Sequence, residues 1–178
     1  GMALPSAEAS QVRVLSLEEL FDRSAAVVCA RVMICQCRWA AIAGVRRIIT
    51  CSRLVVDEVL LDTSGVFLPM GNSQKGEKSE DKALKEAMVW TLGGRVEGWE
   101  QKVPGAASVQ PGEFGVFFLR RESTLGHGLV GMAQGYRSVE MGPEPRLAEQ
   151  TEGDPRLSGM PLKHLREHAQ RVARKGEK

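Results

Sequence analysis

The sequence predicts a mainly β fold of the α+β class: a small antiparallel barrel of five to seven strands, with a short N-terminal helix and a C-terminal amphipathic helix. Between Met88 and Gly135, short apolar runs are separated by Gly-Gly, Pro-Gly and Pro-Gly-Glu, a pattern typical of antiparallel strands joined by tight turns. Two long runs rich in Val and Ile precede this segment on either side of Gly44. A long hairpin with glycine-rich corners favours a barrel over a flat open sheet.

Both helices carry start signals. Ser16-Leu17-Glu18-Glu19 matches a capping box, in which the serine and the second glutamate satisfy each other's backbone amides, and this helix is expected to end near Ser24. At the other end, Pro161 suits the first position of a helix. An apolar stripe follows it through Arg174, formed by Leu162, Leu165, Ala169 and Val172.

The strands predicted from apolar runs divide the chain into a barrel domain over residues 14–141, a linker loop over 142–159, and a helix over 160–175 that packs on the same domain. Residues 62–87 are a polar insertion, in which Ser79 is a candidate N-cap for one or two helical turns. The first hairpin is expected to have strands at 25–38 and 45–61, joined by a connection at 39–44. Further strands are predicted at 88–92, 95–103, 114–120, 128–133 and 136–141, the one at 114–120 being central because it is apolar on both faces.

Composition argues against several classes of partner. The chain has 178 residues, of which 43% are hydrophobic and 26% charged, and its net charge is +2. A charge so close to neutral and an aromatic content of 5% both argue against nucleic acid as a partner. No apolar run approaches the length of a membrane span.

The N-terminal residues bear on cellular location. The stretch ALPSAEASQ is small and polar, as residues just after a signal-peptide cleavage site usually are, and the sequence shows no charged n-region or apolar h-region. We expect an exported protein, periplasmic or extracellular, in preference to a cytoplasmic one.

Four cysteines cluster at positions 29, 35, 37 and 51. Cys35-Gln36-Cys37 lacks the two-residue spacer of zinc knuckles and has no histidine nearby, so no metal site is predicted. The thiols are either four small apolar side chains or members of one or two disulfides. A hairpin turning about Gly44 would set Cys37 opposite Cys51, and a shift of one residue would set Cys35 there instead. A disulfide closing a loop of about 15 residues would stabilise by roughly 3 kcal/mol.

Two motifs match catalytic patterns without their context. His164-Leu165-Arg166-Glu167-His168 fits the inverted zinc-protease pattern, but the sequence supplies no third ligand downstream, and a solvent-facing terminal helix is the better interpretation. Residues 71–79 resemble a phosphate loop, yet Glu77 separates the final glycine from Lys78, and a flexible polar loop is favoured. No serine triad is recognisable, and no catalytic residue, cofactor or metal is predicted.

The segments LSLEEL, LGGRVEG, KVPGA, PGEFGVFFLRR and LVGMAQG resemble a family of small uncharacterised exported bacterial proteins. The resemblance covers roughly residues 14–139 and implies a small antiparallel barrel of the oligonucleotide/oligosaccharide-binding or metalloproteinase-inhibitor type. It implies no reaction and no catalytic residues. The four clustered cysteines depart from the family pattern.

The leading hypothesis for function is a non-enzymatic exported binding or protein-interaction module, for an unknown protein or small ligand. Its contact surface is predicted at the loops 93–104 and 126–128, where turns place Arg95, Trp99 and His127 outside the strands. The alternatives are an oligonucleotide-binding barrel and an enzyme of unrecognised mechanism.

Overall fold

The fold is mainly β, with a seven-stranded sheet, a short N-terminal helix and a C-terminal helix, as the sequence predicts. A computed structural model describes residues 13–67 and 85–176. The elements in chain order are α1 (Leu17–Arg23), β1 (Ala26–Ile42), β2 (Val45–Asp62), β3 (Lys85–Leu92), β4 (Gly94–Val96), β5 (Trp99–Gln101), β6 (Phe114–Ser123), β7 (Gly126–Leu129), β8 (Tyr136–Glu140), β9 (Arg146–Leu147) and α2 (Leu162–Gly176). The predicted capped turns around Ser79 lie outside the described residues. No described helix has the length and apolar character that crossing a bilayer requires.

The predicted capping box at the start of α1 is confirmed. The Glu19 amide donates to Ser16 Oγ at 3.1 Å, and the Ser16 amide donates to Glu19 Oε1 at 3.4 Å. These bonds satisfy amides that have no partner within the helix, a contribution of about 1 kcal/mol. The cap therefore fixes where the chain enters the fold.

The first hairpin is longer than predicted. β1 continues through Trp39 to Ile42, so the connection expected at residues 39–44 is mostly strand. The turn consists of Ala43 and Gly44, at φ 50° and 77°, because a two-residue turn with positive φ at both positions matches the twist of the flanking strands. Three register shifts interrupt β1 before Ile34, and the pairing beyond them is regular.

Five strands pair in a cycle. β1 pairs with β2, β2 with β3, β3 with β7, β7 with β6, and β6 with β1. All of these pairings are antiparallel except β3 with β7, which meet in parallel at Val89 and His127. β8 and β9 extend the sheet from β6, while β4 and β5 form a separate two-stranded ribbon.

The core lies in two clusters on opposite faces of β1 and β6. Val27 and Phe118 pack with the first, under α1 and α2, whereas their neighbours Val28 and Phe117 belong to the second, which includes Leu54 of β2. Because successive strand residues point to opposite faces, a strand buried on both sides contributes to two layers. This explains why residues 114–119 carry no polar side chain, and the prediction that the run is a central strand is confirmed.

The C-terminal helix packs on the sheet through its apolar stripe. Leu165 is fully buried and the Ala169 side chain almost so, and burying a leucine contributes roughly 1.5–3 kcal/mol before entropy is subtracted. Arg166 adds a bidentate ion pair with Glu58 of β2, with nitrogen–oxygen distances of 2.6 and 2.9 Å. The segment expected to be a linker loop contains β9 and carries the core residues Leu147 and Leu157.

Candidate functional site

A groove of about 460 Å³ opens between the first hairpin, the β4–β5 ribbon and the segment at 102–110. The residues that give it chemical character are Cys35 and Cys37 of β1, Thr50 of β2, Arg95 and Glu100 of the ribbon, and Lys102. Its volume lies within the range of small-ligand sites. The groove thus combines thiols, a hydroxyl and charged groups in one concavity.

Glycines bring the ribbon close to the hairpin. Gly94 has φ +137°, and a Cβ there would lie 2.6 Å from Cys37 Sγ and 2.9 Å from Thr50 Oγ1. Two hydrogen bonds hold the approach, both at 2.8 Å: Gly93 N donates to the Ile48 carbonyl oxygen, and Ile48 N donates to Gln101 Oε1. Only a residue without Cβ fits this contact, which explains the Gly93-Gly94 pair.

The two groove thiols each meet a hydroxyl on β2. Ser52 Oγ donates to Cys35 Sγ at 3.3 Å, and Cys37 Sγ lies 3.4 Å from Thr50 Oγ1. Cys37 is exposed and Cys35 half-buried. Across the groove, Arg95 and Glu100 form an ion pair at 3.3 Å between largely exposed side chains, a contact worth at most about 1 kcal/mol.

The opposite face of the same hairpin is basic. Arg38, Arg47 and Arg53 project from it, since Arg38 pairs with Ile49 and alternate residues of β2 share a face. Arg53 lies between Ile34 on β1 and Met88 on β3. We call this surface the arginine face; it also includes Trp90, which pairs with Cys51.

Charge is segregated along the chain. Residues 31–56 contain five arginines and no aspartate, glutamate or lysine, so this segment carries +5 while the whole chain carries +2. The remainder is therefore net acidic, at −3. The net charge of the whole chain does not show this asymmetry, whereas a count of charges over successive segments of the sequence does.

The three residues predicted to bind fall in different environments. Arg95 lines the groove and pairs with Glu100. Trp99 is the next residue along the strand from Glu100, so its side chain projects from the other face of the ribbon, where it is 68% exposed. All three were expected outside the strands, and that placement is wrong: Arg95 lies in β4, Trp99 in β5 and His127 in β7. His127 is also buried, at 2% exposed. Its Nδ1 lies 2.9 Å from the Arg120 carbonyl oxygen, and its ring stacks on Phe67 with centroids 5.7 Å apart.

The predicted pairing of Cys37 with Cys51 is also wrong. The two-residue turn sets Cys37 opposite Thr50 and Cys35 opposite Ser52, so that Gln36 faces Cys51. Cys37 and Cys51 consequently point to opposite faces of the hairpin. All four cysteines have free thiols.

The four thiols are expected to react in an order set by burial. Burial raises the pKa of Cys29 to about 12 from the ordinary 9.0, with a smaller contribution from the Glu58 charge. That shift lowers the thiolate fraction about a thousandfold, so iodoacetamide should label Cys29 only after unfolding. Cys37 is exposed and should label first. Peptide mapping by mass spectrometry checks the order, and native labelling of Cys29 as fast as that of Cys37 would contradict it.

The terminal histidines differ in environment. His164 is exposed, whereas His168 packs against Phe21 of α1 with ring centroids 4.9 Å apart. Burial and the Arg171 charge lower the pKa of His168. The contact between His168 and Phe21 indicates that His168 contributes to the packing of α2 against α1. Residues 71–79, which resemble a phosphate loop in sequence, lie outside the described residues.

Comparison of the chain with models of protein families, with curated proteins and with solved structures found no match.

Proposed function

We propose that this protein is an exported, non-enzymatic interaction module that binds an acidic segment of a partner protein on its arginine face. The observation that carries this proposal is the placement of Arg38, Arg47 and Arg53 on one sheet face, within a segment that lacks acidic residues. Opposite charge on a partner would speed association and fix its register.

The apolar residues of the arginine face also favour a protein partner. Ile34 and Met88 are 45% and 39% exposed on either side of Arg53, and Trp90 is half-buried one row away. Arginine, methionine and aromatic side chains are enriched at protein interfaces, and tryptophan and arginine dominate their energetic centres. Glu86 of β3 shares this face at its edge, where it pairs with Val55. The negative charge of Glu86 therefore marks the edge of the basic surface.

A labelled acidic peptide tests this proposal. Fluorescence anisotropy with a fluorescein-labelled peptide of alternating aspartate and leucine should show binding that weakens as salt rises. The double substitution Arg47→Gln and Arg53→Gln should lower affinity about tenfold or more, because both charges face the peptide. The matched control is Arg171→Gln with Arg174→Gln, which removes two exposed arginines from α2. An equal loss in the control, or no binding to the native chain, would contradict the proposal.

The second candidate function is binding of single-stranded oligonucleotides. The cycle of five strand pairings supports it, because barrels of the oligonucleotide/oligosaccharide-binding type bind ligands on the face of their second and third strands. Here that face carries Arg53 and Trp90, and a tryptophan can stack on a base. Labelled oligothymidylate in the same assay separates the candidates: nucleic acid binding should be lost in Trp90→Ala and should fall steeply with salt.

Export rests on the composition of the N-terminal residues. An apolar leader encoded upstream of Met2 would support it. Recovery of the native protein only from the cytoplasmic fraction would contradict it.

A further inference from the structure

The thiols of Cys35 and Cys37 share one strand face and one groove. They are separated by one residue in a regularly paired part of β1, opposite Ser52 and Thr50. Residues two apart in a strand project to the same side, so both side chains enter the groove together. The two thiols therefore lie on the face of the hairpin opposite to the arginine face.

Strand geometry keeps these two thiols from forming a disulfide with each other. The Cα atoms of residues two apart in a strand are about 6.6 Å apart. Their Cα–Cβ bonds point in the same direction, so the Cβ atoms are about as far apart. A disulfide needs Cβ atoms about 3.8 Å apart. Two collinear metal–thiolate bonds of about 2.3 Å, the length of a zinc–sulfur bond, would instead span about 4.6 Å between the sulfurs, a wider separation than a disulfide allows.

We propose that Cys35 and Cys37 form a two-thiolate site for a soft monovalent cation, Cu(I). Thiolate ligands favour soft metals, among them Cu(I), zinc and the iron of iron–sulfur clusters. On binding, each thiol releases one proton to solvent and donates a sulfur electron pair to the ion, with no change of oxidation state. The resulting group carries a net charge of −1. This site is independent of the proposed function, since it lies on the other face and takes a different ligand.

The surroundings suit a thiolate pair. Ser52 is fully buried, and its hydroxyl donates a hydrogen bond to Cys35 Sγ. Arg95 and Lys102 line the same groove, where both pair with Glu100. These three side chains together leave one positive charge to oppose the excess negative charge, and their exposure weakens this effect. Gly94 leaves Cys37 Sγ the space that a Cβ would occupy.

The number of donors distinguishes Cu(I) from zinc. Structural zinc is held by four ligands. Within residues 13–67 and 85–176, no group of three or more His, Cys, Asp or Glu side chains comes together at a metal-sized spacing. A pair of sulfurs suits an ion that accepts two ligands.

The test is a competition for Cu(I) between the reduced chain and bicinchoninate, without oxygen. The native protein should withdraw one Cu(I) per chain from the chelator. Cys35→Ser and Cys37→Ser should each lower the affinity at least about tenfold, because each removes one of two thiolates. Cys51→Ser is the matched control: its side chain lies on the opposite face of the hairpin. X-ray absorption of the loaded protein should show two sulfur neighbours of copper.

Three results would overturn the proposal. These are copper remaining on the chelator, Cys37→Ser binding as tightly as the native chain, or Cys51→Ser losing as much affinity as Cys37→Ser. Cys37 is exposed, so its serine variant should keep the native melting temperature and stays informative even where Cys35→Ser destabilises the fold. Peptide binding on the arginine face should be unchanged in Cys37→Ser, which separates this test from that of the proposed function.

Discussion

Replacing Phe117 with aspartate should abolish folding. Phe117 is fully buried in the second core cluster, where its ring lies 4.8 Å from that of Tyr136. Truncating such a residue to alanine costs about 3–5 kcal/mol. Aspartate adds a buried charge without a partner, and a domain is stable by only about 5–15 kcal/mol in total. Circular dichroism and thermal unfolding of the purified variant measure the outcome.

The control for this prediction is Arg121→Asp on the same strand. Arg121 is exposed, so its substitution should change stability by no more than about 0.5 kcal/mol. A Phe117→Asp protein that melts at the native temperature would show that β6 does not pass through the core. Phe117→Ala, expected to fold with reduced stability, gives a measurable value on the same scale.

The substitution Gly126→Ala should destabilise the parallel contact between β3 and β7. Gly126 begins β7 at φ +108°, and a Cβ there would lie 2.6 Å from the carbonyl oxygen of Met88 in β3. The backbone conformation alone costs an L-residue roughly 1–3 kcal/mol. The contact with a backbone atom adds to this cost, because moving that atom means moving β3. Urea unfolding should therefore show a lower midpoint.

Gly128→Ala is the matched control within the same strand. Its Cβ would meet side-chain atoms at 3.6 Å or more, an ordinary contact, and no positive φ is involved. Equal stabilities of the two variants would mean that the cycle of strand pairings does not depend on close approach at Gly126.

Much of the fold follows from local patterns in the sequence. The capping box at Ser16 and the apolar stripe of α2 were predicted because their signals span only a few residues. The hairpin was predicted too, yet its turn was assigned too many residues. Trp39, Ala40 and Ala41 look like a connection in isolation, but pairing with Ile48, Arg47 and Arg46 keeps them in the strand. Pairing between strands overrides weak local preference.

The candidate site was harder to predict. Arg95 was predicted to lie in a loop, but it lies in β4, where it lines the groove. His127 was misplaced because glycines on both sides suggested a turn, whereas those glycines allow β7 to pass close to β3 and Trp90. A glycine that permits close packing and a glycine that permits a turn look alike in sequence.

Composition and short-range periodicity were sufficient for the fold class, the two helices and the apolar central strand, since each depends on residues a few positions apart. Long-range pairing decided the rest. The observed pairing of β1 with β2 differs from the predicted one by a single residue. As a result Cys51 lies on the opposite face from Cys35 and Cys37, together with Arg38, Arg47 and Arg53. Because strand side chains alternate with a period of two, one step of register exchanges the faces, and only the complete set of pairings settles which step is taken.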